Sequence, residues 1–117
     1  MFGSFIDFMV CCFIGVHERE KLEAQRVRIN LDLAVNEGKH PIIDDIQNVV
    51  NYETMANGII DIAEEGHVNL VESLAERIAV MCFEDQRVDS ARIRIEKLDI
   101  LDNAESVGIE IERFRKV

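Results

Sequence analysis

Arg26-Val27-Arg28-Ile29-Asn30-Leu31-Asp32-Leu33 alternates polar and apolar residues without a break. A period of two sends alternate side chains to opposite faces, so this segment reads as a half-buried strand. The same alternation recurs in Ala91-Arg92-Ile93-Arg94-Ile95-Glu96, within Val88 to Lys97, and in Ile109-Glu110-Ile111-Glu112, within Val107 to Phe114. Phe5 to Ile14 is richer in Phe, Ile, Val and Cys, which predicts a strand buried over much of both faces. Between the strand pairs the period changes. Met55, Ile59, Ile62 and Ala63 fall at helical spacing within Tyr52 to Glu65, as do Leu74, Ala75, Ile78, Met81 and Cys82 within Leu70 to Cys82. Two amphipathic helices joined at Gly66-His67 follow from this spacing.

Charged residues from His17 to Ala24 link the first two strands as a long antiparallel hairpin whose loop carries candidate functional groups. Glu37-Gly38-Lys39-His40-Pro41 holds the only proline and opens a loop to about Gln47. The order strand-strand-helix-helix-strand-strand predicts an α+β fold, a four-stranded antiparallel sheet covered on one face by the helix pair. With 117 residues, a single domain spanning 1–117 is expected. Such a sheet has two open edges, and pairing them between subunits is one way to satisfy their backbone groups.

Composition narrows the partners. Hydrophobic residues make up 48% and charged residues 31%, as in globular chains that fold. A formal net charge of -10 disfavours nucleic acid and anionic membranes, both of which call for a basic face. A neutral small molecule is compatible, whereas a polyphosphate needs a local basic cluster. Cys11, Cys12 and Cys82 form no C-x-x-C pair, and an odd count suits free thiols in a reduced compartment. Cys11 and Cys12, in an apolar run, read as small core residues. That run, Phe5 to Val16, lacks a preceding Lys or Arg and a small-residue cleavage site, is interrupted by Asp7, and is too short for a spanning helix. The expected location is cytoplasmic.

Four residues invite both a structural and a chemical reading. Asn69-Leu70-Val71-Glu72 fits a capping box with Asn69 as N-cap; equally, a carboxylate beside free helix N–H groups can hold a flat heterocycle with adjacent donors. Lys97 ends a strand, where lysines commonly keep an edge soluble, yet a partly desolvated lysine exchanges protons readily. Tyr52, the only tyrosine, could staple a first helical turn or pass a proton through water. Glu20 lies among Glu18, Arg19, Lys21 and Glu23, where a solvated charge is the ordinary reading and a ligand the alternative. No metal site is expected: His17, Glu18 and Glu20 form no H-E-x-x-H motif and the cysteines lack zinc spacing.

Gly15-Val16-His17-Glu18-Arg19-Glu20, Tyr52, Asn69-Leu70-Val71-Glu72, and Lys97 before Val107-Gly108-Ile109-Glu110-Ile111-Glu112-Arg113 occur in an order and at separations that resemble the dihydroneopterin aldolase family of folate biosynthesis. The resemblance covers about Ile14 to Arg113. It implies the tunnelling fold, with sheets of several subunits closed into a barrel and two rings stacked as an octamer. It further implies a pterin substrate without cofactor, metal or Schiff base. Glu72, with the backbone at Val71, would anchor the pterin. Lys97 would be the principal acid-base residue, Glu20 would hold the substrate side chain or a water, and Tyr52 would come from the neighbouring subunit to protonate the intermediate.

One departure keeps a second branch open. Many members follow the lysine with proline, whereas this chain reads Lys97-Leu98-Asp99, as the related dihydroneopterin triphosphate 2'-epimerases do. Against that branch stand the acidic charge and the absence of an evident triphosphate cradle, and the Gly108-to-Arg113 ending resembles the aldolase branch. A non-catalytic pterin-binding oligomer is the third reading, and retention of Lys97 beside Glu72 speaks against it.

Overall fold

The computed structural model describes residues 2–36 and 50–115; the loop expected between Glu37 and Gln47 lies outside the described residues. Strands β1 (Phe2–Cys12), β2 (Gln25–Val35), β3 (Val88–Lys97) and β4 (Val107–Phe114) form one sheet in the order β1-β2-β3-β4, each neighbouring pair antiparallel. A short helix α1 (Glu18–Leu22) interrupts the first connection, and α2 (Tyr52–Glu64) and α3 (Val71–Cys82) lie between β2 and β3 in the chain. The four-stranded antiparallel α+β architecture is thus the one expected from the alternation.

Register follows the apolar positions. Phe8, Ile29, Ile95 and Ile109 stand in one cross-strand row, and Ile6, Leu31, Ile93 and Ile111 in the next. Ile29, Leu31, Ile93 and Ile95 are fully buried, packed with Met55, Ile59 and Ala63 of α2 and Leu74, Ala75, Ile78 and Cys82 of α3. Each such aliphatic side chain contributes roughly 1.5–3 kcal/mol of burial. A one-residue slip would turn these rows to the other face, so the pattern itself fixes the pairing. The helices also receive polar anchors, one local and one from the sheet. Asn51 caps α2, its side-chain oxygen accepting from the N–H groups of Glu53 and Thr54 at 3.0 and 3.3 Å, and Arg113 of β4 pairs with Glu76 of α3.

The opposite face carries Arg28, Arg92, Arg94, Glu110 and Glu112, with Arg92 donating to Glu112 at 3.0 Å. Exposed pairs of this kind add little stability. Gly108 faces Glu96 in the ladder, where a Cβ would lie 1.8 Å from the Ile95 carbonyl oxygen, so the strands approach too closely there for any other residue.

Strand β1 departs from expectation. Instead of being buried on both faces it alternates, with Ile6, Phe8 and Val10 partly buried against the core and Phe5, Met9 and Cys11 exposed. The reason is positional: β1 is an outer strand, and the helices cover only one side. Cys11 is therefore a surface residue, while Cys12 and Cys82 are core residues whose thiols burial pushes up to about 11 and about 12. Among the described residues no helix is long and apolar enough to cross a membrane.

Candidate active site

The site begins at Gly15, where the chain leaves β1 with φ of +127°. A Cβ on this residue would lie 2.1 Å from the Glu20 carboxyl carbon, so glycine is needed both for the backbone conformation and for the space the carboxylate occupies. Helix α1 is a single short helix with His17 at its N-cap, and Glu20, at its third position, curls back so that its Oε1 accepts from the His17 N–H at 3.3 Å. The loop expected to be a solvated charge cluster thus buries one of its acids. Glu20 is 3% exposed.

Lys97 reaches the same point from the end of β3. Its Nζ donates to Glu20 Oε2 at 2.8 Å, with the lysine side chain 16% exposed. Gln25, at the start of β2, donates from Nε2 to Glu20 Oε2 at 2.9 Å and to the Ile14 carbonyl at 2.7 Å. Burial alone would raise the Glu20 carboxyl; hydrogen bonds from Lys97, Gln25 and the His17 backbone more than offset it and hold the pKa at about 2. Glu20 is therefore an anion at all physiological pH values.

This depression makes a stability prediction with a definite sign. Relative to an unfolded-state value of 4.5, a folded-state value of about 2 corresponds to a contribution of roughly 3 kcal/mol, present above pH 4.5 and lost as pH falls through 2. The stability difference between wild type and Glu20→Gln, followed by urea denaturation across this range, should shrink in that window; a difference independent of pH would refute the assignment.

The strand pairing continues one residue past the lysine. Leu98 donates its N–H to the Arg26 carbonyl at 3.2 Å, a bond that proline could not make, and the Arg26 guanidinium then grips Asp99 at 2.7 Å. Arg19 Nη2 donates to the Ile100 carbonyl at 2.9 Å, tying α1 to the same segment.

Glu72 and Val71 arrive from the other side. The segment before α3 docks along the end of β1: Gly15 donates its N–H to the Val68 carbonyl at 2.9 Å, and Val68 donates to Phe13 at 3.0 Å. This brings the start of α3 to the end of the sheet that carries Glu20 and Lys97. Asn69 is not the N-cap expected for this helix. The helix begins at Val71 with Leu70 at the cap position and no side-chain cap bond, leaving Glu72 in the second helical position. Glu72 is exposed, and among the described residues its carboxylate has no partner and no side chain caps the first-turn N–H groups.

Tyr52 is not brought to this place. It opens α2 and is 67% exposed, whereas the other end of that helix adjoins the turn at Gly66 leading to Val68. Thirteen residues of helix span about 20 Å, and the neighbours of Tyr52, Asn51 and Thr54, line a cleft with Glu84 and Arg87 beyond the end of α3. Within one chain, Glu20, Lys97, Val71 and Glu72 share an end of the fold and Tyr52 lies at the other.

Gln25 is the participant that the motif spacing missed. Its signal lay in the alternation: it shares the parity of Val27 and Ile29, whose face is apolar, so a polar residue there needed a partner. Among the described residues, no three His, Cys, Asp or Glu side chains converge as a metal would require.

An ordered carboxylate–ammonium pair and an unpartnered carboxylate at a helix start stand at one end of a small α+β fold. A family model described as FolB, dihydroneopterin aldolase, matches residues 5–112. The chain is 34% identical to the dihydroneopterin aldolase of Bacillus subtilis, covering 85% of each. It is 32% identical to the dihydroneopterin triphosphate 2'-epimerase of Pseudomonas aeruginosa, covering 93% of this chain and 89% of that protein. The crystal structure of Escherichia coli dihydroneopterin aldolase in complex with neopterin superposes with a TM-score of 0.88 at 27% identity, covering 97% of this chain and 99% of that one. This chain belongs to the dihydroneopterin aldolase family.

Proposed function

We propose that this protein cleaves 7,8-dihydroneopterin by a retro-aldol reaction, giving 6-hydroxymethyl-7,8-dihydropterin and glycolaldehyde. The observation that carries this reading is the Lys97–Glu20 pair at 2.8 Å, with its carboxylate buried and its lysine largely shielded, an acid-base couple at the same end of the fold as the free Glu72 carboxylate. Glu72 accepts from the amino group and ring N–H of the pterin, and the N–H groups at Val71 and its neighbours meet the ring carbonyl. Lys97, with Glu20 and a water, removes the side-chain hydroxyl proton. As the carbon–carbon bond breaks, its electron pair enters the ring C=N and forms an enamine-like intermediate. Because the substrate supplies its own electron sink, Lys97 acts in proton transfer and forms no Schiff base, and no metal is called for. Tyr52 from a second copy returns a proton to carbon through water. The 20 Å between the ends of α2 supports this division between subunits, as do the unpaired edges of β1 and β4, which suit closure of several sheets into a ring. An octamer of two such rings in the cytoplasm is the assembly this reading adopts.

Incubation with 7,8-dihydroneopterin should release the hydroxymethyl pterin and glycolaldehyde in equal amounts, measured by chromatography and an aldehyde assay. No release of either would overturn the proposal. A second reading, triphosphate 2'-epimerisation, is favoured by the Pseudomonas aeruginosa relative and by Leu98 in place of proline. Faster conversion of the triphosphate, without aldehyde, would select it.

A further inference from the structure

Two groups of residues do different work in the proposed reaction, and one side chain ties them together. Glu72, at the start of α3, holds the ring; Glu20 and Lys97 move protons at the side chain. His67, in the segment that leads from α2 to α3, places its ring Nε2 2.6 Å from the carbonyl oxygen of Gly15. Gly15 is the residue whose missing Cβ makes room for the Glu20 carboxylate. Its N–H is already committed to the Val68 carbonyl. The backbone of Gly15 is therefore held on both polar groups by consecutive residues, His67 through its side chain and Val68 through its main chain.

Only the side-chain half of this clamp depends on residue type. The Val68 contacts are backbone bonds that survive most substitutions, and they fix position 68 against the end of β1. The Gly15 carbonyl, in contrast, needs a donor supplied by a side chain, and His67 donates from Nε2 in either its Nε2–H tautomer or its protonated form. His67 is otherwise an exposed residue, and no other hydrogen bond to a described residue holds its ring. The Glu20 carboxylate fills the space a Cβ on Gly15 would take, so a shift of the Gly15 backbone carries over to it. From these contacts we propose that His67 is a positioning residue: its bond to Gly15 sets the Glu20–Lys97 pair at the correct distance from the ring held on Glu72. The proposal rests on the aldolase reading above.

Its test separates positioning from folding and from the reading it depends on. His67→Ala removes the donor and His67→Gln restores one of similar reach. Both would be assayed for dihydroneopterin cleavage, for binding of neopterin by fluorescence titration, and for thermal midpoint. The expected result is a kcat for His67→Ala lowered about tenfold, neopterin binding within about twofold of wild type, and substantial recovery in His67→Gln, consistent with loss of alignment at the reacting bond alone. An unchanged kcat in His67→Ala overturns the proposal, as does a parallel fall of kcat, binding and thermal midpoint without rescue by glutamine, which would mark the bond as merely structural. Failure of the wild type to cleave dihydroneopterin would instead bring down the aldolase reading, and this proposal with it.

Discussion

Lys97→Ala is expected to lower the rate of dihydroneopterin cleavage by about 10²–10⁴-fold, the range for removing a positioned acid-base group, while neopterin binding changes only modestly. The separation of effects follows from where the lysine sits. Ring recognition is assigned to Glu72 and the first-turn N–H groups of α3, whereas Lys97 donates to Glu20 at the end of β3. The substitution also leaves a buried carboxylate without its charge partner, a change that destabilises by about 3–5 kcal/mol in comparable settings. Lys97→Gln answers this, because glutamine can still donate a hydrogen bond to Glu20 yet cannot serve as the proton carrier. Both variants should show this loss in single-turnover assays even where Lys97→Gln retains the wild-type thermal midpoint. A folded Lys97→Gln enzyme with full activity would remove Lys97 from the mechanism.

The second large effect concerns the separation between Tyr52 and the rest of the site. Tyr52→Phe is expected to abolish release of the hydroxymethyl pterin while leaving the fold intact, since the exposed ring makes little contribution to the core. Tyr52→Phe and Lys97→Gln subunits, each inactive alone, should then regain activity when coexpressed. If every site takes Lys97 from one copy and Tyr52 from its neighbour, random mixing restores about a quarter of the sites. Activity of the mixed oligomer can be measured after separating it from the parents by two affinity tags. Absence of any recovery would mean that both residues act from one chain, which would require α2 to lie quite differently from its present position, with its first turn some 20 Å from its last.

These expectations draw unequally on sequence and structure. Period-two alternation in Arg26 to Leu33, Ala91 to Glu96 and Ile109 to Glu112 was enough to name three strands and the face each would bury, because a strand has only two faces and the helices could cover only one. The same parity also marked the chemistry. Lys97 continues the series Ala91, Ile93, Ile95, and Gln25 precedes Val27 and Ile29; both are polar residues on an apolar face, and both converge on Glu20. The motif spacing found the first and passed over the second. Alternation did not distinguish an outer strand from an inner one, so β1 was expected to be buried on both faces and Cys11 to lie in the core. Burial of that kind depends on what packs against a strand, which lies elsewhere in the chain.

The sequence by itself determined the order of the four strands and two longer helices and the apolar face of β2, β3, β4, α2 and α3, since these rest on local period, while the four groups proposed for catalysis were named by the motifs that resemble the family. Tertiary structure alone decided that Glu20 is buried and ionised, because this depends on donors 5 and 77 residues away in the chain, Gln25 and Lys97. It also decided that α3 begins without an asparagine cap, leaving Glu72 free, and that His67 reaches back across 52 residues to Gly15. Those features arise from contacts between distant segments, for which no local pattern of hydrophobic and polar residues carries a record.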